Sequence, residues 1–345
     1  MNPATSLPAM PEANPARLRV EYVQADSPAR LLAADDVLAV LGFGGDAPCS
    51  DDPRYLRVPL QPWHPTRGQG TPYEIWHANA PVTRGRDGAI AWASDGQLLF
   101  GAIEIEESSA PGNAGIAEAA QRAYASLTGF VAGSGYRHLL RVWNYLDAIT
   151  QGDGDNERYR QFCIGRARGL GDFDASALPA ATAIGRCDDA RVIQVYWLAA
   201  RTAGTPLENP RQLSAYRYPR LYGPQSPSFA RAMLPPAGSA MPLLLSGTAS
   251  VVGHQSLHDD CLESQLAETF ANFDSLITAA RQQRPLLPAA FGPGSRLKVY
   301  VRDAADLPRV AAVLDARLGP DVPRLLLQAA ICRRELRVEI DGVHG

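Results

Sequence analysis

The sequence predicts an α+β fold of two similar halves, each a mixed sheet with helices packed on one face. Three observations predict it. The chain has 345 residues and 46% of them are hydrophobic, which fits two well-filled cores at roughly 100–200 residues per domain. Each half runs strand, amphipathic helix, strand, helix, strand. In each half a proline, Pro179 or Pro323, opens the segment leading into the last strand. Such an order segregates strands and helices into layers, and a repeat of this length sets the architecture before any short motif does.

Residues 1–16, rich in Pro and Ala, read as a loose tail. The first half spans 17–202. Strands are expected at 74–77 and 97–106. A helix is expected over 113–131, because Ile116, Ala120, Ala123, Leu127 and Phe130 fall on one face. A strand at 139–146, a helix at 156–168 and a strand at 192–198 follow. Gly, Pro and Asn in 203–212 suit a linker. The second half, 213–345, repeats the pattern. A strand at 243–245 ends in Ser246-Gly247-Thr248. The helix 259–280 places Leu262, Leu266, Phe270, Phe273 and Ile277 on one side. Then come a strand at 297–301, a helix at 304–318 and a strand at 335–341.

Composition excludes several classes. The net charge is −3, whereas nucleic-acid binding wants a basic field. No apolar run approaches the roughly 18 residues of a membrane span. The N-terminus lacks the basic start and apolar core of a signal peptide. Five cysteines, scattered and without CxxC spacing, read as reduced thiols of a cytoplasmic protein. The basic residues are lopsided: Lys298 is the one lysine beside 32 arginines. A GC-rich coding bias accounts for most of that, and a few of those arginines are free to form an anion clamp.

Cofactor motifs are missing: no GxGxxG opens a helix, and neither GxxxxGK[ST], HExxH nor GxSxG occurs. Gly42-Phe43-Gly44-Gly45 reads as a turn. His254 and His258 have the spacing of two ligands on one helix face, but the stronger reading is Asp259 and Asp260 capping the helix that follows, so no metal is expected. The stretch Tyr216–Arg231 holds three tyrosines and three arginines in sixteen residues. Guanidinium forks pair with carboxylates, and tyrosines add hydroxyl donors beside flat rings, so this cluster suits a small cyclic carboxylate. In 335–341, Leu336, Val338 and Ile340 alternate with Arg337, Glu339 and Asp341. The pattern alone favours a solvated polar face. If that face instead lines a cleft, burial raises the Glu339 pKa and makes it a general acid near neutral pH. Aligning Pro179 with Pro323 puts Gln194 or Val195 opposite Glu339, so the first half is expected to be silent.

Two sets of residues carry a family resemblance. Tyr222-Gly223-Pro224-Gln225-Ser226 through Leu245-Ser246-Gly247-Thr248-Ala249, with Pro323-Arg324 and the acid Glu339 in the last strand, resembles the RidA/YjgF-type fold. The segments beginning Leu140-Arg141-Val142-Trp143-Asn144-Tyr145, Glu157-Arg158-Tyr159 and Tyr216-Arg217-Tyr218-Pro219-Arg220 resemble, more specifically, a chorismatase. That likeness runs from about Ala16 to the end.

The resemblance implies two RidA/YjgF-like halves with the site in the second. It implies cleavage of the enolpyruvyl ether of chorismate, with release of pyruvate and without metal or organic cofactor. Glu339 stands where the family places its acid. Cys332, seven residues earlier, matches a cysteine of the branch that makes 3-hydroxybenzoate, of which some members also make 4-hydroxybenzoate for pigment and quinone pathways. Gly247 and Ala249 lie in a loop where a small residue separates the branches. Candidate contacts to the two substrate carboxylates are Arg217, Arg220 and Arg231, with Arg158 and Arg166 from the first half. Tyr145, Tyr216 and Tyr222 are candidates for the ring hydroxyl or a carboxylate. The implied partner is chorismate alone, with no nucleic acid and no membrane. RidA relatives form trimers, but two fused halves favour a monomer. The alternatives are hydrolysis of chorismate to a dihydroxycyclohexadiene carboxylate, a RidA-like metabolite binder without turnover, and imine deamination using Arg324.

Overall fold

The computed structural model of the protein describes residues 15–63, 70–109, 113–172 and 174–345. All but the last two residues of the expected N-terminal tail lie outside these. The two expected long helices form: α1, Ala114–Ser134, and α3, Leu262–Gln283. Their apolar stripes explain where they pack. Ile116, Ala120, Ala123 and Leu127 of α1 are buried, as are Leu262, Leu266, Phe270, Phe273 and Ile277 of α3. The shorter helices are α2, Arg158–Leu170, and α4, Leu307–Leu318. Gly165 lets α2 approach α1, since a Cβ there would lie 2.0 Å from the Ala117 carbonyl oxygen.

Each helix pair covers one seven-stranded mixed sheet. In the first half, Ala180–Arg186 pairs parallel with His138–Asp147, which pairs antiparallel with Val192–Ala200, and that in turn with Leu98–Glu106. In the second half, Arg324–Gln328 pairs parallel with Arg296–Val301, which pairs antiparallel with Val338–His344, and that with Leu243–Thr248. The repeat is thus one topology used twice. The sheet face decides the alignment left open above: Val195, like Val338 and Ile340, packs in the core under the helices, so Gln194 shares the face of Glu339. Gln194, not Val195, is the counterpart of Glu339.

Several elements depart from expectation. Arg19–Ala25, Val37–Phe43, Tyr55–Val58 and Thr71–His77 form a separate four-stranded sheet, most of which the sequence reading missed. Val37–Phe43 is buried at all seven positions, so it shows no alternation to read. Gly42 and Phe43 belong to that strand, and the turn falls on Gly44 at φ 116°. Thr205–Leu207, inside the stretch read as a linker, pairs with Ala232–Leu234. The last strand begins at Val338 rather than 335, runs to His344, and is buried on both faces. The halves also exchange edge strands. Gln61–Pro62 joins the second sheet, and Ala330–Ile331 joins the first.

The three sheets meet around Trp76, Trp143, Tyr145, Tyr196 and Tyr300. At this centre lies the lone lysine. Lys298 Nζ donates to Glu74 Oε2 at 2.9 Å and sits 3.8 Å from Asp341 Oδ1. Asp341 Oδ2 accepts from Arg141, Trp143, Thr182 and Tyr300 at 2.7–3.1 Å. Two acids and two bases thereby share one dry cluster, the arrangement in which buried charges are tolerated.

Candidate active site

A cavity of about 370 Å³ opens where the last strand meets the first half. Glu339 lies in its wall, 5% exposed. Burial raises its pKa to about 8, the Asp341 carboxylate adds to the rise, and Arg141, Arg231 and Arg333 oppose it. The carboxyl is therefore mostly protonated at neutral pH, as a general acid must be. Of the two sequence readings of this strand, the buried one holds, because its polar face meets the other half instead of water.

Room for that carboxyl comes from a break in the neighbouring strand. The register between Leu243–Thr248 and Val338–His344 shifts between Leu245 and Thr248, so Ser246 and Gly247 together stand opposite the single Asp341. A bulge of this kind re-aims backbone groups next to a site. Gly247 turns its N–H away from the last strand and donates to Thr182 Oγ1 at 3.0 Å. Ala249 follows in the same wall.

Cys332 lines the cavity too, and burial, with the nearby Glu339 carboxyl, pushes its thiol well above the usual range. At neutral pH it is a thiol and not a thiolate. A thiolate nucleophile is thereby disfavoured.

Three guanidinium groups reach the cavity without a carboxylate within 4.0 Å among the described residues: Arg166, Arg231 and Arg333. Arg231 Nη2 donates to Leu213 O and Tyr218 Oη, both at 2.7 Å, while its Nε is buried without a partner. Arg166 has two such orphans, Nε and Nη2. Arg333 lies over the Tyr222 ring at 4.1 Å. Guanidinium groups that line a cavity without a carboxylate partner suit an anion bound in it. Arg231, Arg166 and Tyr222 are expected here from sequence. Arg333, beside Cys332, and Tyr159 and Tyr218, inside the family-like segments, line the cavity as well and are not among the expected residues. Thr182 had no sequence signal at all, since it sits on a strand of the other half.

The remaining candidates lie elsewhere. The Tyr145 hydroxyl is in the buried centre, 3.2 Å from that of Tyr196 and 3.1 Å from that of Tyr300. Arg158 is tied to Glu107 and to the Asp147 carbonyl. Arg217 packs on the Tyr216 ring, and neither lines the cavity. Arg220 is exposed and paired with Asp155. In the cases of Arg158 and Arg220 an acid from a distant segment had already claimed the guanidinium, which no local motif reveals.

His254 sits at the tip of the hairpin Val251–Val252 and Gln255–Ser256, with Tyr222 Oη 3.2 Å from its Nδ1. His258, at φ 63°, meets Glu268 instead. The two histidines share no helix face. Nor do Asp259 and Asp260 cap α3: its N-cap is Cys261, with no side-chain capping bond.

A buried, protonated carboxyl opposite unpaired guanidinium groups defines an acid-type site for a small polyanion. Comparison with known proteins points the same way. The family described as chorismatase FkbO/Hyg5-like, N-terminal, matches residues 74–199. A chorismatase of Streptomyces hygroscopicus is 37% identical over 278 residues, 78% of each chain. A 3-hydroxybenzoate synthase of that organism is 34% identical over 280 residues, covering 78% of this chain and 80% of the relative. A crystal structure of a chorismatase superposes with a TM-score of 0.83 at 31% identity, covering 97% of this chain and 100% of that one. The chain belongs to the chorismatase family.

Proposed function

We propose that the protein cleaves chorismate to pyruvate and 3-hydroxybenzoate, with Glu339 as the acid. The observation that carries this reading is the buried Glu339 carboxyl, raised to about 8, facing a cavity lined by Arg166, Arg231 and Arg333. Chorismate is a dicarboxylate, and three guanidinium groups without a carboxylate partner suffice for two carboxylates.

The acid delivers its proton to the methylene carbon of the enol ether, which creates an oxocarbenium ion. The neighbouring ring hydroxyl then displaces pyruvate from the ring, and its proton returns to the carboxylate. The resulting arene oxide collapses to the phenol. Chorismate equals pyruvate plus hydroxybenzoate atom for atom, so this route consumes no water. The half-buried neutral thiol of Cys332 supports a role in shaping that wall while the oxide collapses. The hydrolytic alternative consumes one water and leaves a dihydroxycyclohexadiene carboxylate. Incubation with chorismate and identification of the ring product by mass separates the two, and retention time in the same assay distinguishes 4- from 3-hydroxybenzoate.

A division of labour follows. Residues 213–345 carry the acid, while 17–202 supply Arg166, Thr182 and the Glu74 and Arg141 members of the buried cluster. Gln194, at the place equivalent to Glu339, cannot act as an acid. Imine deamination loses support because Arg324 is tied to Asp315 and the Gly319 carbonyl and does not line the cavity. Closure of three sheets around one centre within a single chain supports a monomer. No helix among the described residues is long and apolar enough to cross a membrane. All five cysteines are free, which supports a cytoplasmic setting.

A further inference from the structure

We propose that Thr182 of the first half is a positioning residue for Glu339, its hydroxyl locking the Gly247 amide, against which the carboxyl rests, to the buried Asp341. The proposal rests on the reading of Glu339 as the acid. A threonine hydroxyl has one proton and two acceptor sites. At Thr182 all three are used. Arg141 Nη2 donates to Oγ1 at 2.5 Å and the Gly247 amide donates at 3.0 Å. The hydroxyl proton therefore goes to Asp341 Oδ2, 2.7 Å away. With every site occupied and 3% exposure, the hydroxyl is a fixed junction, and it has no proton to give to substrate or to Glu339.

The junction sits where three strands from both halves converge. Thr182 belongs to Ala180–Arg186, Gly247 to Leu243–Thr248 and Asp341 to Val338–His344. Because of the bulge, the Gly247 N–H has no partner in the last strand, and Thr182 is what holds it. One residue earlier, Ser246 Oγ accepts from the Ala181 amide at 2.9 Å and donates to the Ala230 carbonyl. The bulge is thus fastened to the first half at two successive residues. No hydrogen bond to the Glu339 carboxyl is found among the described residues, so the carboxyl is placed by its walls. One of these is Gly247, where a Cβ, if present, would come within 1.9 Å of Oε1 and 3.3 Å of Thr182 Oγ1. Loosening this wall leaves the acid present but free to swing from the substrate carbon. A misplacement of about 1 Å costs about 100-fold in rate.

The first half thereby acquires a role in catalysis although it carries no acid. Thr182→Val removes the hydroxyl at nearly constant shape, and Thr182→Ser keeps it. With chorismate as substrate, Val is expected to lower kcat by about 10–100-fold with KM within about threefold of wild type. Ser is expected to restore kcat to within about threefold of wild type by the same reasoning. If Val does not fold, Thr182→Ala serves in its place and Ser remains the rescue. Wild-type kcat in the Val or Ala variant overturns the proposal, and so does a Ser variant as slow as Val. Failure of the underlying reading looks different. Wild-type protein inert towards chorismate, or an active Glu339→Gln measured alongside, removes the acid itself.

Discussion

Gly247 and Glu339 approach so closely that the missing side chain of the glycine is the space the carboxyl occupies: a Cβ on Gly247 would lie 1.9 Å from Glu339 Oε1. The atom it would strike is the end of a flexible side chain, so the fold can yield there at small cost. Gly247→Ala is therefore expected to fold, with a melting temperature near that of wild type, while the displaced acid loses about 100-fold in kcat. Pyruvate release and thermal melts on the same sample check this. An alanine variant of full activity would move the acid elsewhere.

Activity should follow the protonation of Glu339. With its pKa at about 8, kcat/KM is expected to be level at pH 6–7 and to fall about tenfold per unit above pH 8, since that parameter reports the free enzyme. A profile that instead rises through pH 8 would assign catalysis to a base.

The same carboxyl ties stability to pH. Its folded pKa, about 8, exceeds the ordinary 4.5, so the native state binds more protons than the unfolded state between those values. Stability therefore falls as pH rises through that window. Glu339→Gln removes the titration and keeps the shape. The variant is expected to melt above wild type at pH 9, with the gap closing towards pH 5. Parallel melting curves across pH would reveal a constant gap if Glu339 were not the group responsible.

The arginines divide by their partners. Arg166 has two buried donors without partners at the cavity, so Arg166→Gln is expected to raise KM roughly 10–100-fold, the value of one charge-assisted contact. Arg220 is exposed, paired with Asp155 and outside the cavity lining. Its replacement by Ala is expected to change KM less than about threefold, as surface pairs contribute little. Steady-state kinetics of both variants decides whether the cavity or the Tyr216–Arg231 motif as a whole holds the substrate.

Much of this was legible in sequence. The repeat, α1 and α3 are legible through their order and helical periodicity, Arg231 through the tyrosine-arginine stretch, and Glu339, Cys332 and Gly247 as candidates through the family resemblance. What was hidden has physical causes. Val37–Phe43 is apolar throughout and leaves no period to read. Lys298 looked like a compositional remnant, yet it is the cation at the meeting point of three sheets. Arg158 and Tyr145 sat in persuasive motifs but were claimed by Glu107 and by Tyr196 and Tyr300, contacts that exist only after folding. Thr182 comes to the site from the half without an acid.

The most direct measurement is the fate of chorismate with wild-type protein and with Glu339→Gln. Wild type is expected to release equimolar pyruvate and 3-hydroxybenzoate without added metal. The variant is expected to be slower by roughly 10²–10⁴-fold, the contribution of one well-placed general acid. Absence of pyruvate with wild type, or undiminished release by Glu339→Gln, would contradict the account.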